Sequence, residues 1–151
     1  MKEQILPALP IVGTLKLISR DGKSLCGIEV TKGKASKLDP FFEKCHAELL
    51  SFLKGETTQI NIPLDYSGLT EFQKKVLKEM KKIPYGKVAT YKDLAIGIKS
   101  KGYQAIGTAC GKNPFMLIYP CHRVVGSQSI GGFAHGLRMK KQLLLLETLT
   151  D

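Results

Sequence analysis

The segment Pro120-Cys121-His122-Arg123 carries the clearest chemical potential in the chain. A cysteine thiolate is a strong nucleophile, and a neighbouring base or cation favours the thiolate over the thiol. Cys121 follows a short apolar run, residues 115–119, which predicts a buried strand ending at a nucleophile of depressed pKa. Because adjacent side chains need not point to the same place, the segment alone fits a structural cysteine as well.

A carboxylate in the last predicted helix, residues 137–149, is a candidate partner for this segment. Glu147 is the lone acid in an apolar stretch, and a buried carboxylate needs a hydrogen-bond partner. His122 is the candidate for that partner. We expect the leucines of this helix to supply core: Leu143, Leu144, Leu145, Leu146 and Leu149.

The other three cysteines, Cys26, Cys45 and Cys110, form no Cys-x-x-Cys pair. We therefore expect small buried hydrophobes with free thiols rather than zinc ligands, and neither a metal nor a cofactor is predicted. Residues 126–136 are glycine-rich but lack the lysine pattern of a phosphate-binding loop. They fit either the wall of a pocket or a plain surface loop.

The first half of the chain is predicted to be scaffold. Residues 13–18 and 24–30 flank the turn dipeptide Asp21-Gly22, which predicts a β-hairpin. Asp39-Pro40 predicts a helix start, with apolar residues at helical spacing up to Gly55. Residues 56–69, extended and then turn-rich, form the best candidate for a linker, so we divide the chain into domains 1–65 and 66–151.

The second half is predicted to be mainly helical. Thr70 and Gln73 resemble a capping box, and an apolar stripe follows that Pro84 ends: Phe72, Val76, Leu77, Met80 and Ile83. Short helices at 91–96 and 104–110, joined by a basic turn, suggest a helix-turn-helix. The second of these helices carries small residues that suit close approach to another surface or packing within the protein: Ala105, Gly107, Thr108 and Ala109.

Charge is unevenly distributed along the chain. Residues 1–65 carry nine Lys and Arg against eight Asp and Glu, a net of +1, whereas residues 66–151 carry fourteen against five, a net of +9. A strongly basic half suggests a polyanionic partner, and a lysine-rich solvated surface explains the charge equally well. The apolar runs are too short to span a membrane, and the N-terminus lacks a signal-peptide pattern, so an intracellular protein is expected.

Several motifs together resemble the O6-alkylguanine-DNA alkyltransferase family. They occur in that family's order and spacing: Phe72-Gln73, Ile83-Pro84-Tyr85-Gly86-Lys87-Val88, Thr90-Tyr91, Asn113-Pro114, Pro120-Cys121-His122-Arg123-Val124-Val125, Gly131-Gly132, Lys140 and Glu147. The resemblance is specific from about residue 69 to the end and only architectural before it. It implies an α+β fold: a small ribonuclease-H-like domain of sheet and helix, then a mainly helical winged helix-turn-helix domain.

The resemblance implies a single-turnover repair enzyme, a methylated-DNA–protein-cysteine methyltransferase. Such a protein transfers an alkyl group from O6 of guanine, and also from O4 of thymine, irreversibly to its own cysteine, here Cys121. Glu147 would orient His122, which would take the thiol proton through a water. Tyr91 would help to protonate the leaving base, and Asn113 would brace the active-site turn.

The resemblance also implies contacts with substrate and DNA, because the target nucleotide must be flipped out of the duplex, here from the minor groove. The residues expected in these contacts are Gln104, Ala105, Gly107, Thr108, Arg123, Val124, Phe133, Ala134 and Lys140. Carbonyls near Cys121 and Val124 would read the guanine amino group. Gln104 replaces a family arginine, which predicts weaker engagement of duplex DNA. Phe133-Ala134-His135 replaces a common Tyr-Ser-Gly, which predicts a narrower pocket that prefers methyl over benzyl adducts.

The expected partner is double-stranded DNA containing O6-alkylguanine, bound by a monomer with no membrane association. The expected location is the cytoplasm, at the nucleoid in a prokaryote, or the nucleus in a eukaryote. Three alternatives stay open: a non-catalytic protein that binds alkyl lesions, a winged-helix regulator and a Cys-His hydrolase. The regulator would bind specific DNA sites without labelling Cys121, and the hydrolase would need an oxyanion hole and turnover.

Overall fold

A computed structural model describes residues 1–150. The chain has a mixed α/β architecture with small sheets and five α-helices in this part. It forms two compact units that divide between Gly68 and Leu69. Among the described residues no helix combines the length and apolarity that a membrane span requires.

The first unit contains one antiparallel sheet in the order β1-β2-β3, made of Lys2–Ile5, Leu15–Ser19 and Gly27–Val30. The predicted hairpin is confirmed: β2 pairs with β3 in the register Leu17↔Ile28. Burial alternates along β2, as expected for a strand with one face on the core. The turn is wider than the dipeptide alone, because Asp21 accepts hydrogen bonds from the backbone N–H groups of Lys23 and Ser24.

Helix α1, Pro40–Leu53, begins where Asp39-Pro40 predicts and ends before Gly55, whose φ is +75°. Asp39 holds the N-cap position but makes no capping hydrogen bond. Its carboxylate instead accepts hydrogen bonds from Lys2 Nζ and Gln4 Nε2, both at 2.9 Å. Partners on β1 therefore replace the local cap.

The predicted linker, residues 56–69, contains the boundary between the two units, but its residues 60–68 belong to the first unit rather than to a free connection. Leu25 N donates to Pro63 O at 2.9 Å, and Asp65 N donates to Leu25 O at 2.7 Å. Ile60 and Ile62 are buried. The segment pairs with the chain before β3 and buries apolar side chains, which its extended, turn-rich sequence does not reveal.

The second unit contains helices α2, Glu71–Met80; α3, Tyr91–Gly97; α4, Tyr103–Gly111; and α5, Leu137–Thr150. The Thr70 and Gln73 capping box is confirmed, and Thr90 with Asp93 forms a second one before α3. A short parallel pair joins β4, Ala89–Thr90, to β5, Val124–Val125. This pairing brings the start of α3 beside the chain that contains Cys121.

Two predictions for the second unit were wrong. Residues 115–119 form a buried turn rather than a strand, with Tyr119 N donating to Phe115 O at 2.9 Å and Leu117 at a φ of +74°. In α5, Leu143 is fully buried, but Leu145 and Leu149 are 56% and 75% exposed. A run of consecutive leucines covers every side of a helix, so only part of it can face the core.

Candidate active site

Cys121 begins a one-turn 3₁₀ helix, Cys121–Arg123, and lies at a small cavity of about 140 Å³. Its thiol is buried, with 7% of the residue exposed. The cavity wall comes from α3, α4, the 3₁₀ turn and the glycine-rich segment after β5: Tyr91, Gly107, Cys110, Gly111, Cys121, Gly132, Phe133 and Ala134. The glycine-rich segment thus forms a pocket wall, one of the two uses its sequence allowed.

His122 and Glu147 form a buried pair beside this cysteine. His122 Nε2 lies 2.6 Å from Glu147 Oε2, and both side chains are almost completely buried. An ionised carboxylate only accepts hydrogen bonds, so Nε2 carries the proton and Nδ1 has a free lone pair. Nδ1 has no hydrogen-bond partner among the described residues. The pairing therefore leaves a buried neutral base with one nitrogen available.

Glu147 is held as a carboxylate by several donors. Besides His122, Arg123 donates through Nε at 2.8 Å and Nη2 at 3.0 Å, and Gly86 N donates at 3.0 Å. Burial alone would raise the pKa of Glu147, but these hydrogen bonds outweigh burial and lower it to about 2. Burial also lowers the pKa of His122, with only a partial opposing effect from Glu147, so the imidazole is neutral at neutral pH.

The structure differs from expectation on the charge state of Cys121. Burial raises the pKa of its thiol above the ordinary value, and a hydrogen bond with Asn113 opposes this only in part. Desolvation disfavours the thiolate more than the adjacent charges favour it. The resting nucleophile is therefore a neutral thiol rather than a thiolate.

Asn113 braces the turn that precedes Cys121. Its Nδ2 donates to Tyr119 O at 2.9 Å, and its Oδ1 accepts from Phe115 N at 2.9 Å. One amide side chain thus closes both ends of the buried turn at residues 115–119. This turn fixes where the 3₁₀ helix starts and so where Cys121 lies.

Tyr91 comes from the first residue of α3 and lines the cavity. Its hydroxyl lies 3.5 Å from Gly132 O, and burial raises its pKa, so it keeps its proton at neutral pH. Gly131 has a φ of +75°, and a Cβ there would lie 3.1 Å from the Tyr91 ring. Glycine at that position lets the pocket wall approach Tyr91 closely.

Arg123 and Lys140, which we expected among the DNA contacts, both point inward. Arg123 is 7% exposed, pairs with Glu147 and donates through Nη1 to Ile83 O at 2.9 Å. Lys140 is fully buried, and its Nζ donates to Val124 O at 2.6 Å and to Gly132 O at 2.7 Å. These cations are committed to internal carboxylate and carbonyl oxygens, so the structure gives them a positioning role.

Helix α4 presents a smooth outer face. Gln104, Ala105 and Thr108 are exposed. A Cβ built on Gly107 would meet nothing within 4 Å. Packing inside the protein therefore does not require glycine at position 107, which also lines the Cys121 cavity.

His135, which belongs to the segment expected to narrow the pocket, does not line the cavity in the structure. Phe133 and Ala134 line the cavity, whereas His135 packs edge-on against the Phe133 ring with centroids 5.3 Å apart. His135 thus supports the wall from behind, and Ala134 contributes no hydroxyl. The bulk of His135 therefore does not narrow the cavity, and Phe133 and Ala134 are each smaller than the family's Tyr and Ser.

Sequence reasoning did not anticipate the roles of Gly86, Cys110 and Gly111. In the sequence, Gly86 stands out only as part of a family motif, yet its N–H donates to Glu147. Cys110 and Gly111 lie three and four residues after Gly107 and therefore share its face of α4. Once Gly107 is known to line the pocket, this spacing predicts that both also line it. All four cysteines are free thiols, Cys26 being partly exposed. The described residues contain no cluster of three or more metal-ligating side chains.

Comparison with known proteins agrees with this arrangement. The family model described as "6-O-methylguanine DNA methyltransferase, DNA binding domain" matches residues 71–149. The methylated-DNA–protein-cysteine methyltransferase of Methanosarcina barkeri is 37% identical over 141 residues, which cover 87% of this chain and 89% of that protein. The protein of the same name from Sulfurisphaera tokodaii is 39% identical over 113 residues, 74% of this chain and 72% of that protein.

Solved structures are also similar. The O6-methylguanine methyltransferase of Mycobacterium tuberculosis matches with a TM-score of 0.83 at 31% identity, covering 99% of this chain and 93% of that one. A structure of OGT from the same organism in complex with DNA matches with a TM-score of 0.84 at 29% identity, covering 99% and 94%. Fold and site together define a mixed α/β enzyme with a cysteine nucleophile at a small cavity. The chain belongs to the 6-O-methylguanine DNA methyltransferase family.

Proposed function

We propose that this protein repairs O6-alkylguanine in double-stranded DNA by transferring the alkyl group to Sγ of Cys121. The observation that carries the proposal is the buried His122–Glu147 pair next to the thiol, with His122 Nδ1 free to accept a proton. Family membership supplies the reaction class. O4 of thymine offers the same alkyl–oxygen chemistry and is included as a second substrate.

The charge states support an activated rather than a preformed nucleophile. Cys121 rests as a thiol, and His122 Nδ1 takes its proton through a water as the attack begins. The Sγ–carbon bond forms while the O6–carbon bond breaks, and the electron pair goes to the guanine. The thiol's proton is balanced by the one that the guanine gains, with the Tyr91 hydroxyl as the nearby donor. The thioether product leaves no free nucleophile, so each molecule acts once.

The cavity supports recognition of a flipped base. At about 140 Å³ it is a pocket for a single small group such as a base, and Cys121 lies in its wall. Val124 O already accepts a hydrogen bond from Lys140 Nζ, which leaves its second lone pair for the guanine amino group. Phe133 and Ala134 form part of the cavity wall, and a volume of about 140 Å³ favours a methyl over a benzyl group beside the base.

The second half of the chain would bind DNA as a winged helix-turn-helix with α4 as its recognition helix in the minor groove. Its net charge of +9 suits phosphate contacts. The exposed Gln104, Ala105 and Thr108 with the open Gly107 support close approach of α4 to the duplex. The first half, residues 1–65, would be a ribonuclease-H-like scaffold without catalytic groups. We propose that the protein acts as a monomer wherever the cell keeps its DNA.

The test is mass spectrometry after incubation with a duplex containing one O6-methylguanine. The expected result is a gain of one methyl group per molecule, located on Cys121 and absent from Cys121→Ala. Cys110→Ala is the matched control, because it removes the second thiol at the same cavity. An unchanged mass under conditions in which the duplex is bound would refute the transfer and favour a lesion-binding protein.

A further inference from the structure

Tyr103 is an exposed aromatic side chain on an otherwise small-featured helix face. It is the first residue of α4, and 50% of it is exposed. Neither its hydroxyl nor its ring has a hydrogen-bond or aromatic partner among the described residues. An aromatic ring exposed to solvent loses the stabilisation that burying its large apolar surface would give. Its position beside the cavity wall suggests what could cover it.

Helical spacing places Tyr103 in line with the pocket. Tyr103, Gly107 and Cys110 follow one another at i, i+4 and i+7, so they share one side of α4. Gly107 and Cys110 line the Cys121 cavity. Tyr103 lies one turn further toward the helix N-terminus, roughly 6 Å along the axis from Gly107. Side chains of a helix lean toward its N-terminus, so the ring extends beyond the pocket wall.

Gln104 lies about 100° further round the helix, because successive residues are that far apart. Gln104 shares its side of α4 with Thr108 and Gly111 rather than with Cys110. Because Cys110, Gly107 and Gly111 all line the cavity, its centre lies closer to the Tyr103 direction than to the Gln104 direction. A Cβ built on Gly107, one turn from Tyr103 toward the cavity, would meet no atom within 4 Å.

We propose that Tyr103 is the wedge that enters the duplex where the flipped nucleotide has left, a proposal that rests on the proposed function. Flipping leaves a gap in the base stack, and proteins at the minor groove often insert apolar side chains between base steps. An aromatic ring stacks on any base, because every base has a π-face. Gln104 hydrogen-bonds the orphaned base but has no aromatic ring to stack on a neighbouring one. The two residues divide a task that a single long side chain would otherwise perform.

The test compares two substrates for Tyr103→Ala, Tyr103→Phe and the wild type. A duplex containing O6-methylguanine requires flipping, whereas free O6-methylguanine enters the pocket as a base and does not. We expect Tyr103→Ala to slow repair of the duplex by about 5- to 150-fold, which corresponds to the ~1–3 kcal/mol of one base–aromatic stack. Reaction with the free base should stay at the wild-type rate. Tyr103→Phe keeps the ring and should repair the duplex normally.

Ile96→Ala is the matched surface control, because Ile96 is an exposed apolar residue of α3 at 64% exposure. It should leave both rates unchanged. A second readout uses the Cys121→Ala background, which binds without transfer, and a duplex with 2-aminopurine next to the lesion. Stacking of Tyr103 should quench the 2-aminopurine fluorescence, and Tyr103→Ala should restore it.

The outcomes separate the two proposals. If the wild type repairs the duplex and Tyr103→Ala matches it, the wedge is overturned while the repair function stands. If Tyr103→Ala slows the free base as much as the duplex, the ring supports the pocket or the fold, and the wedge is again overturned. If the wild type never gains a methyl group, the proposed function fails and the wedge fails with it.

Discussion

Replacing Glu147 by glutamine should damage both stability and chemistry. The two carboxylate oxygens receive four N–H donors, two from Arg123 and one each from His122 and Gly86. A glutamine has one oxygen and one NH₂ group, so in either orientation an NH₂ faces donors. Arg123 is 7% exposed and would keep a buried charge without its counter-ion. Breaking such a pair by removing one partner costs about 3–5 kcal/mol.

Urea unfolding measures this cost. At a slope of about 2 kcal/mol per molar, the midpoint for the second unit should fall by roughly 1.5–2.5 M. Far-UV circular dichroism follows the transition, and hydrogen exchange of α5 peptides assigns it to the second unit. The methyl-transfer rate should fall by about 10²- to 10⁴-fold, the usual contribution of a positioned base. Glu147→Asp, which keeps the charge on a shorter side chain, should lose less stability.

A double substitution separates the two effects. Arg123→Met removes the stranded cation, so combining it with Glu147→Gln should cost about 1–3 kcal/mol less than the sum of the single changes. The transfer rate of the double variant should stay as low as that of Glu147→Gln, because His122 is still without its carboxylate. If the free energy of unfolding of Glu147→Gln lies within about 0.5 kcal/mol of the wild-type value, the stabilising role of the buried ion pair is refuted.

Four further results are expected. The wild-type rate should stay constant as pH falls to 6.5, because burial lowers the pKa of His122 below that ordinary value. The His122→Gln rate should instead rise about tenfold per pH unit up to 9, the ordinary thiol pKa, because burial raises the pKa of Cys121 above it. Parallel pH profiles for the two proteins would contradict this. Cys110→Ala should still methylate Cys121 at a similar rate, because it leaves Cys121 and the His122–Glu147 pair unchanged; methyl found on Cys110 of the wild type would contradict it. Gln104→Arg should speed duplex repair, and its added charge should steepen the salt dependence of DNA binding by the amount expected for about one phosphate contact. An unchanged rate and affinity would show that Gln104 does not weaken engagement of the duplex. Methyl adducts should react faster than benzyl adducts because the cavity holds only about 140 Å³, and equal rates would disprove this.

Local signals in the sequence predicted the elements well. The Thr70–Gln73 capping box and the hairpin at Asp21-Gly22 follow from residues within a few positions of each other. The errors concern partners that are distant in sequence. Asp39 caps nothing because β1 supplies donors to its carboxylate, and residues 115–119 turn because the Asn113 amide bonds both ends. A short apolar run does not indicate whether a neighbouring strand exists.

The candidate site shows the same contrast between what local sequence predicts and what distant contacts determine. Its residue types came from the motifs and the family resemblance, but their orientations depend on tertiary contacts. The resemblance placed Arg123 and Lys140 among the contacts with substrate and DNA. Here Glu147 and two carbonyls compete for them inside the protein. The exposed Tyr103 and the open side of Gly107 became visible only once α4 was placed against the cavity.

A thiol of raised pKa suits a nucleophile that is used once. Oxidants, metals and stray alkylating agents react with thiolates, so a preformed thiolate would be consumed before it met a lesion. Burial keeps Cys121 neutral, and the barrier this adds, about 1.4 kcal/mol per pKa unit, applies to every reagent that reaches it. The neutral His122, held by the Glu147 carboxylate, lowers that barrier by accepting the thiol proton, and burial limits the reagents that reach Cys121 to those that fit the cavity. Reactivity is thereby tied to a correctly seated base rather than to the cysteine itself.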